Sequence, residues 1–151
     1  MKVCKFGGSS LASSKEFSNV RKIILNDIER KAIILSAPGK RNKKDNKITD
    51  LLYLAYSHIK YNFDPENILN EIYERFNEII QKLKIDIDLE KEFVKLKEKI
   101  KKGIKEEELV SRGEYFSALI MAKYLGYKFI DAKDVIFFNY DGKIIEDKTL
   151  K

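Results

Sequence analysis

The chain has 151 residues, about one domain, and at 44% apolar and 11% aromatic it is too hydrophobic to be disordered. No apolar run approaches the roughly 20 residues that span a bilayer, so no membrane partner is expected. The net charge of +6 invites a nucleic-acid reading, which the pattern opposes: lysines alternate with glutamates along Lys91–Lys105, and the cluster Lys40-Arg41-Asn42-Lys43-Lys44 has no interleaved aromatics to stack bases.

The single cysteine, Cys4, rules out an internal disulfide and fits a reducing cytosol. The start reaches Gly-Gly too early for a signal-peptide pattern, so a cytoplasmic chain is expected.

In chain order, Val3–Phe6 reads as a strand that runs into Gly7-Gly8-Ser9-Ser10. Two glycines can take positive φ and let a ligand approach the backbone, and N–H groups there can converge on phosphate oxygens. Lys5 supplies a point charge nearby. A plain strand–turn–helix corner would look the same locally, and both readings stay open at this point.

Ser13 or Ser14 caps a helix carrying Phe17, Val20, Ile23, Ile24 and Ile28, which ends near Glu29–Lys31. Ala32–Leu35 is a short apolar strand of the kind buried in parallel sheets. The resulting βαβ unit brings Gly7-Gly8-Ser9 and Ser36-Ala37-Pro38-Gly39 to one sheet edge, where open α/β sheets bind ligands.

Lys40–Lys47 reads as a mobile, solvated basic loop. Thr49 or Asp50 caps a helix with Leu51, Leu52, Leu54, Ala55 and Ile59 on one face. Pro65 starts a second helix, carrying Ile68 to Leu83 at helical spacing, and Asp88 caps a third, with Leu89, Phe93, Leu96 and Ile100. A helix opening at Val110–Glu114 stops at Gly126, Tyr127–Asp131 reads as a strand, and Asp141-Gly142 marks a hairpin. The expected class is α/β, three-layer αβα with a mainly parallel sheet and a helical insertion at about 50–110.

Three segments in order resemble aspartate kinases, within the amino acid kinase superfamily. They are Lys5-Phe6-Gly7-Gly8-Ser9-Ser10, Ser36-Ala37 followed by Thr49-Asp50-Leu51-Leu52, and Ser111-Arg112-Gly113-Glu114-Tyr115-Phe116-Ser117-Ala118. The resemblance implies phosphoryl transfer from ATP to the side-chain carboxylate of L-aspartate, the first step of lysine, threonine and methionine biosynthesis. Charge neutralisation and in-line positioning dominate such chemistry.

By that resemblance Lys5 stabilises the transferring phosphoryl group, and Gly7, Gly8 and Ser9 bind phosphate. Ser36 and Thr49 line the aspartate site, and Glu114 receives the substrate ammonium. Arg112 falls at a variable motif position and His58 belongs to no motif. Mg²⁺ is expected with the nucleotide, with no protein metal ligand identified.

Two departures matter: the loop Pro38–Lys47 is longer than usual, and the family's nucleotide lobe and regulatory domains have no counterpart here. The chain is therefore expected to be residues 1–151 of a substrate-binding lobe, inactive alone, with homo-oligomerisation left to the full-length protein. Competing readings are another amino acid kinase, such as glutamate 5-kinase or acetylglutamate kinase, and a non-catalytic module that binds small anions or amino acids.

Overall fold

A computed structural model describes residues 1–149. The first strand, β1 (Lys2–Phe6), pairs in parallel with β2 (Arg30–Leu35), with Phe6 opposite Leu35 and Cys4 opposite Ile33. Helix α1 (Ser14–Leu25) forms the crossover, capped by Ser13, whose hydroxyl accepts from the Lys15 N–H at 3.2 Å. It is shorter than its apolar spacing suggests. The Asp27 carboxylate accepts the Glu29 N–H at 3.0 Å and turns the chain, leaving Ile28 at 85% exposure. The fold is α/β with a parallel sheet.

Side chains alternate across a strand, so Phe6, Cys4, Ile33 and Leu35 share one sheet face while Val3, Lys5 and Ile34 share the other. The first set is buried or half-buried against helices, whereas Val3 and Ile34 are more than half exposed. Among the described residues, helices cover one face of this two-stranded sheet and leave Val3 and Ile34 on the other exposed.

Four long helices and a short one complete the body: α2 (Ile48–Lys60), α3 (Glu66–Leu83), α4 (Leu89–Lys101), α5 (Glu106–Val110) and α6 (Arg112–Leu125). The start of α2 departs from expectation. Lys47 is the flanking residue, so Thr49 and Asp50 lie inside the first turn rather than capping it. Asp88 does cap α4, accepting the Lys91 N–H at 2.9 Å.

The core joins α3, α4 and α6 through aromatic rings: Phe93 stacks on Phe116 at 4.9 Å, Phe76 meets Phe116 at 5.4 Å, and Tyr73 meets Phe93 edge-on at 5.1 Å. The apolar stripes of the middle third are thus core packing.

Beyond α6 the outcome is mixed. Gly126 ends the helix at φ +71° as expected. Tyr127–Asp131 forms no ladder, because the Tyr127 N–H returns to the Ala122 carbonyl at 2.8 Å and an apolar trough of about 250 Å³ lies between this segment and β2. The hairpin closes around Gly142 (φ +75°) with one antiparallel bridge, Phe138 to Ile144. A final turn, α7, covers Glu146–Thr149. Among the described residues no helix is long and apolar enough to cross a membrane.

Candidate active site

The loops that leave β1 and β2 cross backbone on backbone. After Phe6 the chain passes Gly7 and makes a 3-10 turn at Gly8–Leu11. The Ser36 N–H donates to the Phe6 carbonyl at 3.0 Å, and the Gly39 N–H donates to the Gly8 carbonyl at 2.8 Å. A Cβ on Gly8 would stand 2.8 Å from the Ala37 carbonyl oxygen, and one on Gly39 would stand 2.8 Å from the Gly8 carbonyl carbon.

Both glycines are therefore required for space. The positive φ open to Gly7 and Gly8 is not used: Gly7 sits at φ −79°, and the left-handed glycines are Gly103, Gly126 and Gly142.

Helix α6 approaches the same crossing. Gly113 is buried, and a Cβ on it would lie 2.6 Å from the Ala37 Cβ and 3.3 Å from Leu52. This close seating carries the next residue, Glu114, to the crossing. Thr49 arrives in the first turn of α2, where the Ile48 N–H donates to the Pro38 carbonyl at 3.1 Å and closes the loop between them.

Gly8, Ser9, Ser36, Thr49 and Glu114 accordingly line one open cleft of about 560 Å³. Five of the seven site residues read from the sequence meet there. Gly7 and Lys5 do not line it; Lys5 is exposed on the uncovered sheet face with Val3 and Ile34.

Five further residues line the cleft without having been named as site residues from the sequence: Ala37, Pro38, Gly39, Lys40 and Lys47. Pro38-Gly39 lay on the expected edge, so position alone could have included them. The return of Lys47 depends on the loop closure between Pro38 and Ile48, which no local pattern announces. The loop is solvated as expected, with Lys40–Lys44, Asn46 and Lys47 exposed, but it carries ties that its composition does not announce. Arg41 holds the Asp45 carboxylate through Nε at 2.9 Å and Nη2 at 3.1 Å, and reaches Glu78 on α3 at 3.1 Å.

Arg112 and Tyr115 flank the Glu114 turn without lining the cleft. The Arg112 guanidinium lies 4.4 Å from the Tyr115 ring centre, and its Nε–H donates to the Glu108 carbonyl at 3.2 Å. The Tyr115 hydroxyl donates to the Glu92 carboxylate at 3.1 Å. Burial, with the Glu92 charge beside it, pushes the Tyr115 phenol up to about 12. These contacts tie α6 to α4 and leave Glu114 as the carboxylate on the cleft. Among the described residues no group of three or more His, Cys, Asp or Glu side chains gathers as a metal site. His58 packs at the far end of α2, its Nδ1 at 2.9 Å from the Asp64 carbonyl.

Residues 1–150 match the model of the amino acid kinase family. The chain belongs to the amino acid kinase family. Among its relatives, aspartokinase 3 of Bacillus subtilis is 39% identical over 85 residues, which cover 56% of this kinase-family chain and 19% of that protein. The crystal structure of Clostridium acetobutylicum aspartate kinase superposes with a TM-score of 0.94 at 48% identity, over 97% of this chain and 34% of that one. Escherichia coli aspartokinase III, solved with aspartate and ADP, gives a TM-score of 0.56 at 26% identity, over 94% and 34%. The chain thus spans about a third of the length of these solved relatives and about a fifth of the Bacillus protein.

Proposed function

We propose that this chain supplies the amino-acid pocket of an aspartate kinase, which transfers the γ-phosphoryl group of ATP to the side-chain carboxylate of L-aspartate. The observation that carries the reading is the convergence of Gly8, Ser9, Ser36, Thr49 and Glu114 on one cleft. Glu114 receives the substrate ammonium in a charge-assisted pair. The Ser36 and Thr49 hydroxyls hydrogen-bond the substrate carboxylates. Gly8 and Ser9 turn backbone and hydroxyl donors toward the transferring phosphoryl group, with Gly7 leaving room beside them.

Lys5 acts as a positive charge at the β1 end of the site. The relatives solved and named as aspartate kinases support the choice of aspartate, and the complex of one of them with aspartate and ADP supports a nucleotide co-substrate.

No aromatic or large apolar residue lines the cleft, so nothing on it offers a stacking surface for adenine. Residues 1–151 alone should therefore bind aspartate without turning it over. Calorimetric titration with L-aspartate and L-glutamate, beside a coupled ADP-release assay, tests both points. Aspartate-selective heat, abolished in Glu114→Ala with the circular-dichroism spectrum unchanged, supports the assignment. Equal binding of glutamate sinks it, and aspartate-dependent ADP release by the chain alone overturns the second point.

A further inference from the structure

Arg75, on α3, is the one charged residue among those described that the fold buries, at 4% exposure. A buried guanidinium requires acceptors for its donors. Its Nη2–H donates to the Gly39 carbonyl and its Nη1–H to the Asn46 carbonyl, both at 2.8 Å, and Nη1 also lies 3.3 Å from Asp45 Oδ2. Gly39 and Asn46 directly precede Lys40 and Lys47, the two lysines that line the cleft. Through Gly39 the chain of bonds continues to the Gly8 carbonyl. One planar fork therefore grips the loop at both ends, each time one residue before a cleft ammonium. A lysine at position 75 would put a single ammonium where two diverging carbonyls need separate donors.

We propose that Arg75 is a positioning residue whose guanidinium fixes Lys40 and Lys47 on the cleft rim as a seat for phosphoryl oxygens. The identity of the phosphoryl donor as ATP rests on the kinase reading above; the latch and the anion seat do not. Two exposed ammonium groups held by a buried anchor lose less freedom on meeting an anion than two on a free loop. The seat and Glu114 share one cleft, which thus carries both cationic and anionic side chains.

The full 151-residue chain serves for the test, in wild-type form and as Arg75→Lys, Asp45→Asn and the double variant Lys40→Ala/Lys47→Ala. Ligand-free amide exchange reads the latch. Arg75→Lys should raise exchange at residues 40–48 at least tenfold while amides of α3 and α6 keep their protection. Unchanged exchange at 40–48 overturns the latch. If Arg75→Lys does not fold, Asp45→Asn, which removes the charge partner without touching the apolar core, is judged by the same criterion.

Pyrophosphate titration then reads the seat. Wild-type binding should weaken about tenfold in Arg75→Lys and more in the double lysine variant, whose loop exchange stays at the wild-type level. No pyrophosphate binding by wild type, or equal affinity in all variants, overturns the seat. Latch-dependent binding of pyrophosphate without any binding of ATP or aspartate keeps this proposal and removes the kinase assignment instead.

Discussion

Gly113 shows how one absent methyl group sets the site. A Cβ there would press into the Ala37 Cβ at 2.6 Å, so Gly113→Ala forces α6 away from the loop that carries Ser36. We expect a cost of about 1–3 kcal/mol, the usual range for overpacking, together with weaker aspartate binding because Glu114 moves with the helix. Differential scanning fluorimetry and calorimetry on the same sample check both effects. Ala37→Gly should recover much of the loss in the double variant, since it empties the space that the new methyl needs.

Of the residues that line the cleft, Ser36, Thr49 and Glu114 were legible because each sits in a recognisable segment at a strand or helix end. The reason for Gly8 was not. Its sequence neighbours suggest a positive φ, while its actual constraint is the Ala37 carbonyl of another loop, 2.8 Å from where a side chain would begin. Contacts across roughly 30 residues of sequence leave no local signature.

At the scale of elements, the helices of the middle third were readable from their apolar spacing and caps, and the aromatic cluster explains their stability. Phe116 on α6 is 1% exposed and contacts rings from both α3 and α4. Phe116→Ala should lower stability by about 3–5 kcal/mol, and Phe116→Leu by much less, as read from urea midpoints. Asp88→Ala removes only the cap on α4 and should cost about 1 kcal/mol. The C-terminal segment was less legible. Tyr127–Ile130 has strand composition, but composition does not supply a partner strand, and its first N–H is already committed to Ala122. The loop at 40–47 is exposed as its lysines suggest, but its bonds to Arg75, made 29 and 36 positions away through Asn46 and Gly39, leave no local signature.

For the whole molecule, the acid limb of stability should follow the carboxylates that the fold keeps ionised. The Arg41 guanidinium, hydrogen-bonded to Asp45 and aided by Arg75, holds the Asp45 carboxyl well below its ordinary 3.8, although burial acts the other way. Lys82 lowers Glu78 in the same sense, and Lys99 lowers Glu108. A carboxyl with a depressed folded-state pKa contributes stability that is present above its ordinary value and lost as pH falls below it. Thermal midpoints should therefore be flat above about pH 5 and drop on further acidification. Asp45→Asn should start lower and show a shallower acid slope.

Tyr115 acts at the opposite end. Its phenol, raised from 10.0 to about 12, stays protonated longer in the fold than in the open chain, so stability should decline as pH rises across that interval. Tyr115→Phe, which keeps the ring contacts and loses the Glu92 bond, should flatten this alkaline limb.

The crossing of Gly8 with Gly39, and the seating of Glu114 against it, also fixes when the cleft can exist. Glu114 leaves the ribosome about a hundred residues after Gly8, which at typical elongation rates is roughly 5–20 s later. During that interval β1, α1 and β2 can pair, but the cleft lacks its carboxylate and the helix that backs it. The nascent chain therefore carries an exposed glycine corner with an incomplete cleft until α6 docks. Ligand cannot template the early steps of folding, and slowing translation between positions 50 and 110 would lengthen the time for which the unfinished sheet is open to wrong partners.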